Sequence, residues 1–421
     1  TPNNRGVGIF LLSPILESYV NPQHNGTNFD NSIFSSYKTV GYTDTTPHPI
    51  HLIDKYSNND NVAIYFRVIF NMEYYTDAAL TIFSTAKKVI TENYLAYNGV
   101  LHYDDIINQS GNNYGFNLNS KDLVLNDFGS ELGKFISNAP ITQYARLEDY
   151  GTFSFFNFLN ISENSFQVGT DNAVINMVKY ILVRLYNSSG VLLGSAIQID
   201  STFANGSFNN NNEFSNTRVM FFGGFPANLD GWSTDWDTHK ANTSYYTLQA
   251  FDDQEVAISQ LYTINIITDD CKGFESIRLT WLNPHGTWDY YTFTKKSVRQ
   301  LATNKTTYTQ LGGTWNDSTF KINGYKGGQK NFRVNTKEMI RINTDYLLDA
   351  DAIWFEDLIN SPEVYILNGY SSSDTFGMVN KYVEPVRVTT SSYTRKTKAN
   401  DKLIQYSFEL EKTKNKRTQA I

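Results

Sequence analysis

Three aspartates in one aromatic stretch are the side chains of this sequence best suited to hydrolytic chemistry. Asp230, Asp235 and Asp237 lie within residues 221–237, which are rich in glycine and aromatic residues. A glycosidase needs two carboxyl groups flanking the scissile bond, one as general acid and one as base or nucleophile. Nothing in the sequence gives two of these carboxylates opposed environments. We therefore assign no catalytic residue and predict that the chain is not an enzyme.

The aromatic rings of the same stretch have a second interpretation, as anchors at a contact between subunits. Trp and Phe bury large apolar areas at protein interfaces, and they also stack on sugar rings. We favour the subunit contact, and a bound glycan is the alternative. The candidate interface or ligand residues are Phe221, Phe222, Phe225, Trp232, Trp236 and, further along the chain, Trp288.

The remaining nucleophiles and metal ligands are poorly placed for chemistry. Cys271 is the only cysteine and follows two aspartates, whose charges raise the pKa of a neighbouring thiol. His48 and His51 are three residues apart, but the prolines that flank His48 exclude a regular helix. We therefore expect a buried structural thiol, no metal site and no cofactor.

Composition limits the possible partners. The net charge is −7 and charged residues make up 18 % of the chain, so we expect no contact with nucleic acid or with a membrane surface. Basic residues do gather between Arg387 and Arg417, but interspersed carboxylates favour a solvated strand pair. The sequence begins without a secretory pattern, and a single cysteine cannot form an intramolecular disulfide. We expect the protein to mature in a cytoplasm.

Alternating apolar residues and polar turns predict a mainly β chain. Residues 180–186 and 191–199 are β-rich runs joined by Asn-Ser-Ser-Gly, which predicts a hairpin. Tyr262, Ile264 and Ile266 alternate with polar residues, so they share one strand face. A weak helical pattern covers residues 77–90. A stronger one covers residues 349–360, where Trp354 and Leu358 fall on one face and Pro362 ends the helix.

These elements predict two or three β-sandwich-like or barrel-like domains. The first would cover residues 1–140 and the second residues 141–258. The third would cover residues 259–421, with the helix at 349–360 packed on the C-terminal sheet. The absence of a fixed-period repeat argues against a propeller or a solenoid.

Three segments of the last 160 or so residues, taken in order, resemble a known group of proteins. The first is residues 277–293, IRLTWLNPHGTWDYYTF, and the second joins INTDY at 342–346 to NSPEVY at 360–365. The third combines PVRVTTSSYTRKT at 385–397 with LIQYSFELE at 403–411. As an ordered set, these segments resemble virion structural proteins of tailed bacteriophages, of the tail, baseplate or neck type. The resemblance is limited to residues 260–421 and brings no catalytic residue with it.

The resemblance implies a structural component of a tailed-phage virion, in the tail, baseplate or neck. Such a protein would assemble in the host cytoplasm, form a homo-oligomeric ring and bind other virion proteins. The alternative is a carbohydrate- or receptor-binding phage protein that uses the aromatic residues 221–237. A glycan-cleaving enzyme and a cellular surface adhesin are further hypotheses.

Overall fold

The fold is mainly β, with 51 % of the structure in strands and 14 % in helices, and its multi-stranded sheets form a β-sandwich-like architecture. This confirms the predicted fold class. None of the helices in the described ranges has the length and apolar character that crossing a membrane requires. The computed structural model describes residues 11–20, 56–59, 63–68, 72–75, 79, 83–86, 92–100, 132–157, 178, 180–200, 218–230, 233–251, 255–267, 274–316, 318–347, 349–368, 383–390 and 405–414.

The described residues form four α-helices, two 3₁₀ turns and 21 strands. The helices are α1 (Ser13–Leu16), α2 (Pro226–Leu229), α3 (Thr234–His239) and α4 (Asp349–Asn360), with 3₁₀ turns at Glu17–Tyr19 and Lys240–Asn242. The strands before residue 260 are β1 (Tyr56–Asn59), β2 (Ala63–Val68), β3 (Met72–Tyr75), β4 (Phe83–Ala86), β5 (Glu92–Tyr97), β6 (Thr142–Ala145), β7 (Thr152–Asn157), β8 (Tyr180–Tyr186), β9 (Leu192–Asp200), β10 (Arg218–Gly223) and β11 (Tyr245–Phe251). The later strands are β12 (Tyr262–Ile266), β13 (Ile277–Leu282), β14 (Trp288–Phe293), β15 (Val298–Gln310), β16 (Gly313–Asn316), β17 (Thr319–Ile322), β18 (Gly328–Asn343), β19 (Val364–Leu367), β20 (Val383–Val388) and β21 (Ser407–Lys412).

The chain divides into two compact units. Unit 1 comprises Thr1–Asp269, Thr280–Thr292 and Gly369–Val383, and unit 2 comprises Asp270–Leu279, Phe293–Asn368 and Glu384–Ile421. The predicted boundaries near residues 140 and 259 stay predictions. Each unit consists of three separate stretches of chain. A division of the sequence into consecutive domains cannot describe such units.

Unit 1 contains a five-stranded and a three-stranded sheet. The larger one has the order β6-β12-β11-β8-β9, and the smaller one has the order β1-β10-β7. The predicted hairpin is present as β8 and β9, and its turn needs Gly190 because the backbone there has a φ of +74°. The helix considered at residues 77–90 is wrong, since β4 pairs with β3 there. Phe and Thr in β4 favour a pleated strand.

Aromatic rings from both sheets form the core of unit 1. Tyr262 on β12 and Phe222 on β10 each contact Phe135, with ring centroids 4.7 and 5.1 Å apart. Phe153 on β7 lies 6.0 Å from Tyr262 and 5.5 Å from Phe222. The Tyr262 hydroxyl accepts the Phe135 backbone N–H at 3.0 Å, and burial raises its pKa. A ring cluster of this kind adds directional contacts to the burial of apolar area.

Unit 2 is built on neighbouring strands covered by one helix. Strands β19, β20, β21, β18 and β15 lie side by side in that order. Helix α4 spans the residues predicted from the sequence, and Phe355 stacks on Phe408 of β21 with centroids 5.8 Å apart. Trp354 and Leu358, expected on the apolar face, are buried. The helix therefore covers the C-terminal sheet, as predicted.

Candidate functional site

The three aspartates that suggested carboxylate chemistry have structural partners. Asp230 and Asp237 both accept hydrogen bonds from the Lys240 ammonium, the latter at 3.4 Å. The Asp230 carboxylate is the main cause of the raised pKa of Lys240. Asp235, on α3, accepts the backbone N–H of Ser195 at 3.0 Å. These contacts join α3 to its surroundings and give no pair of carboxyl groups an acid and a base role.

The aromatic residues proposed as contacts lie inside the protein, which corrects that prediction. Phe221, Phe222, Phe225, Trp236 and Trp288 are all at most 3 % exposed. Trp236 meets Tyr246 edge to face at 5.7 Å, and Phe225 stacks on Phe153 at 5.0 Å. The rings are buried because β10, the start of α2, α3 and β14 turn them towards the core of their own chain. Trp232 lies outside the described residues.

A hydrogen-bonded turn accounts for the polar residues between β13 and β14. The Asn283 side-chain oxygen accepts the N–H groups of His285 and Thr287, at 3.0 and 3.1 Å. Its amide nitrogen lies 2.9 Å from Asp289 Oδ1, which also accepts from the Ser137 hydroxyl. All of these side chains except Ser137 are at most 4 % exposed. The cluster is a structural network rather than an open site.

The histidines and the cysteine do not form a metal centre in the part of the chain that the structure describes. No group of three or more His, Cys, Asp or Glu side chains there is close enough to hold a metal ion. His285 is buried, and its Nε2 lies 3.0 Å from the Asn138 side-chain oxygen. His48, His51 and Cys271 lie outside the described residues.

The most distinctive surface among the described residues is a long two-stranded ribbon in unit 2. Strands β15 and β18 have 13 and 16 residues, and they pair in antiparallel register from Val298 with Arg341 to Gln310 with Gly328. Strand β21 covers only the base of β18, from Met339 to Asn343. Among the described strands, no third strand continues beside the ribbon beyond that base. We call residues 301–338, including the turn region, the arm.

Both faces of the arm are exposed. Side chains along a strand alternate between the two faces of a sheet, yet every β15 residue from Val298 to Thr307 is exposed. At about 3.3 Å per residue, a strand of this length extends roughly 40 Å. A two-stranded hairpin without a packed face is only marginally stable in water. The arm thus exposes surface and strand edges that a binding partner could cover.

The end of the arm, residues 311–327, carries the most exposed large apolar side chains in unit 2. We call this segment the tip. Its side chains Leu311, Trp315, Ile322 and Tyr325 are 74–81 % exposed. Trp315 on β16 lies opposite Phe320 on β17, with ring centroids 5.4 Å apart. Solvated monomer surfaces seldom concentrate apolar side chains in this way, so the tip has the character of a contact surface.

Paired glycines join the tip to the ribbon. Gly327 and Gly328 have φ angles of +95° and +75°, which side-chain-bearing residues rarely adopt. A Cβ on Gly327 would lie 3.0 Å from the Cα of Gly312, so the two chains approach closely there. The Asn323 N–H donates to the Gly312 carbonyl at 3.0 Å. This narrow neck separates the small β16–β17 hairpin from the long ribbon.

Charge differs between the base of the arm and its outer part. At the base, carboxylates are shared among basic residues on neighbouring strands, whereas no described carboxylate pairs with Lys305, Lys330 or Arg333. Lys330 instead donates to the Tyr325 carbonyl, and Arg333 donates to the Asn335 side chain. The ion pairs at the base are Arg299 with Glu275 and Glu338, Lys337 and Arg387 with Glu411, Arg341 with Glu409, and Lys412 with Glu338 and Glu384.

The arm was not among the elements predicted from the sequence. Its strands are rich in Thr, Asn, Lys and Gln and lack the alternation of apolar and polar residues used to find the other strands. The available signal was the pair of Gly-Gly steps, at 312–313 and 327–328, enclosing a short aromatic segment. Glycine pairs between two Thr-rich runs indicate a hairpin whose faces do not enter the core.

No protein-family model matches the chain, and neither a curated protein nor a solved structure was found to be similar to it.

Proposed function

We propose that this protein is a non-enzymatic structural subunit that assembles into a homo-oligomer and binds neighbouring components of the same assembly. The observation that carries the proposal is the arm, a ribbon exposed on both faces with an apolar tip. Such an element adds surface but little core to its own chain. Its length and exposure are understandable if another subunit covers it.

The proposal extends to the kind of assembly. We place the protein in the virion of a tailed phage, as a tail, baseplate or neck component that assembles in the host cytoplasm. This part rests on the resemblance of residues 260–421 to such proteins. The arm itself lies within that region, so the matched segments and the proposed contact belong to the same part of the chain.

The homo-oligomer is tested by measuring the mass of the purified chain over a range of concentrations. Mass photometry and sedimentation velocity should find one discrete oligomer, and cryo-electron microscopy of that species should show arms covered by neighbouring copies. A monomer at every concentration reached would contradict the homo-oligomer. An oligomer whose arms project freely into solvent would contradict the role given to the arm.

The place in a virion needs a separate test. Antibodies raised against the purified chain should label tailed particles from the source sample, at the tail, baseplate or neck, in negative-stain electron micrographs. Unlabelled particles from a preparation in which the chain is detected by mass spectrometry would contradict the virion assignment. That result would leave the homo-oligomer intact.

A further inference from the structure

We infer that the arm binds a second copy of this chain in a heterologous contact, in which the basic arm of one copy meets the acidic remainder of the next. The inference rests on the proposed function, since it names the partner of the surface on which that function depends. It also specifies the geometry of the contact, which the proposed function leaves open.

The distribution of charge along the chain identifies the partner. The arm contains six Lys or Arg residues and two carboxylates, a net charge of +4. Because the whole chain has a net charge of −7, the residues outside the arm carry −11 together. The remainder of a second copy therefore carries a net charge opposite to that of the arm, and complementary charge steers such an encounter.

The outer part of the arm is where cations lack carboxylate partners among the described residues. Lys337, at the base, lies 2.8 Å from Glu411, but Lys305 and Arg333 further out have no such pair. Lys305 and Arg333 are both exposed. Lys305 pairs across the strands with Val334, and Arg333 pairs with Thr306. Since Lys305 and Thr306 are consecutive in β15, the two cations lie on different faces of the ribbon. Cations on both faces suit an arm that is inserted between surfaces rather than laid flat on one.

The same charges disfavour contact between two arms. A two-fold dimer held by its arms alone would bring the arms of both copies together, and each arm carries +4. Contact between an arm and a different surface avoids this repulsion. A heterologous contact of that kind repeats from copy to copy, so it generates a closed ring or an open filament.

The apolar tip supplies the apolar contact area that an interface needs and that charged side chains do not provide. Trp315 is 74 % exposed, and the neighbouring Ile322 and Tyr325 are 81 % and 77 % exposed. Aromatic anchors buried at the centre of an interface contribute much of its binding energy, while surrounding charges set the rate and specificity of association. The arm combines both features along one ribbon.

The test compares two double charge reversals in the full-length chain. Lys305→Glu with Arg333→Glu reverses two arm cations, and Lys296→Glu with Lys414→Glu reverses two exposed cations outside the arm. Both variants change the net charge equally. The arm variant should raise the dissociation constant of the oligomer about tenfold or more in sedimentation velocity at low salt. The control should associate as well as the unaltered chain or better, since it makes the acidic surface more negative.

Zero-length cross-linking locates the contact. A carbodiimide joins a lysine to a carboxylate, and a mixture of isotopically light and heavy protein separates links between copies from links within one. Lys305 or Lys330 should be joined to carboxylates outside the arm of another copy. Circular dichroism and tryptophan fluorescence of the variants should match those of the unaltered chain, which establishes that the charge reversals leave the fold intact.

The outcomes separate the inference from the proposed function. If the unaltered chain is oligomeric and the arm variant associates equally well, the inference is overturned and the homo-oligomer stands. A closed two-fold dimer also overturns it, whether the cross-links join arm to arm or each arm to the body of the other copy. A chain that stays monomeric overturns both. A monomer that binds a labelled oligonucleotide, and loses that binding in the arm variant, assigns the arm to nucleic acid instead.

Discussion

At the scale of single residues, Asn283 holds the turn between β13 and β14 through both ends of its amide. The side-chain oxygen accepts two backbone N–H groups of the turn, and the nitrogen lies 3.1 Å from the Ile136 carbonyl and 2.9 Å from Asp289 Oδ1. Asp289 is buried, so its carboxylate depends on such donors. The side chain therefore links a local turn to a distant segment of unit 1.

Replacing this side chain should be costly. Asn283→Ala removes partners from buried backbone N–H groups and from Asp289, so we expect the free energy of unfolding to fall by about 2–4 kcal/mol. Urea denaturation measures the change. Asn304→Ala, at an exposed arm position, is the control and should shift stability by less than about 0.5 kcal/mol. If the two variants change the free energy of unfolding equally, the hydrogen-bond network contributes nothing measurable to stability.

Acidic pH acts on the ion pairs at the base of the arm. A hydrogen bond from Lys337, and then one from Arg387, holds the pKa of Glu411 below its ordinary value of 4.5. A carboxyl group whose pKa is lowered by folding stabilises the folded state at pH values above its unfolded-state pKa. This stabilisation is lost as the pH falls through the folded-state pKa. Stability should therefore decrease below about pH 4.5.

The variant Glu411→Gln should lose stability at neutral pH and respond less to acid. The difference from the unaltered chain should be about 1 kcal/mol or less, since both cationic partners are more than half exposed and are screened by solvent. Thermal unfolding at about pH 7 and about pH 3 should show this difference narrowing as the pH falls. Glu17→Gln is the exposed control. A difference that grows on acidification would contradict the assignment.

At the scale of elements, β9 and α3 meet at a glycine. Gly194 has a φ of +63°, and the β8–β9 register shifts at the facing residues Val183 to Leu185. A Cβ at Gly194 would lie 2.7 Å from both Asp235 Oδ1 and His239 Cδ2 on α3. The strand irregularity thus brings the backbone close to the helix and lets Asp235 accept the Ser195 N–H.

Alanine at this glycine should disturb both elements. We expect Gly194→Ala to lower the free energy of unfolding by about 1–3 kcal/mol, because the backbone is strained and the helix must move. Gly324→Ala in the tip is a matched control, since nothing lies within 4 Å of its added Cβ. The comparison uses denaturation midpoints. An equal and small effect at both glycines would rule out the close packing of β9 against α3.

At the scale of the whole molecule, the arm is the surface on which the proposed assembly depends. Its residues have a net charge of +4 in a chain of −7, and its tip is apolar and exposed. Elsewhere in the described residues, aromatic clusters are buried, as with Phe135 and Tyr262 in unit 1 and Phe355 and Phe408 in unit 2. The candidate site is consequently an extended surface rather than a cleft.

Limited proteolysis should report whether the tip is covered. Among the described lysines and arginines, trypsin should cut first after Lys321 and Lys326 when the protein is dilute, because both flank the exposed tip turn. Cleavage there should slow at concentrations where the oligomer forms, since a neighbouring copy then covers the tip. Time courses analysed by mass spectrometry measure the rates, and cleavage after exposed Lys296 is the internal reference. Equal tip cleavage at all concentrations would contradict a covered arm.

The sequence by itself determined the local elements that alternate clearly. The β8–β9 hairpin, the buried face of β12 and the bounds of α4 follow from turn residues, period-two alternation and a helical apolar face. Each of these patterns involves residues close together in sequence, so it can be recognised without knowledge of the rest of the fold. The mainly β class follows for the same reason.

Only the tertiary structure decided which surfaces face solvent. Phe221, Phe222, Phe225 and Trp236 are buried by side chains distant in sequence, so composition could not tell a contact loop from a core segment. Conversely, the polar strands of the arm could be identified as a ribbon only from the pairing of β15 with β18. Burial and exposure depend on which strands lie beside one another, and that arrangement is set by contacts between residues far apart in the chain.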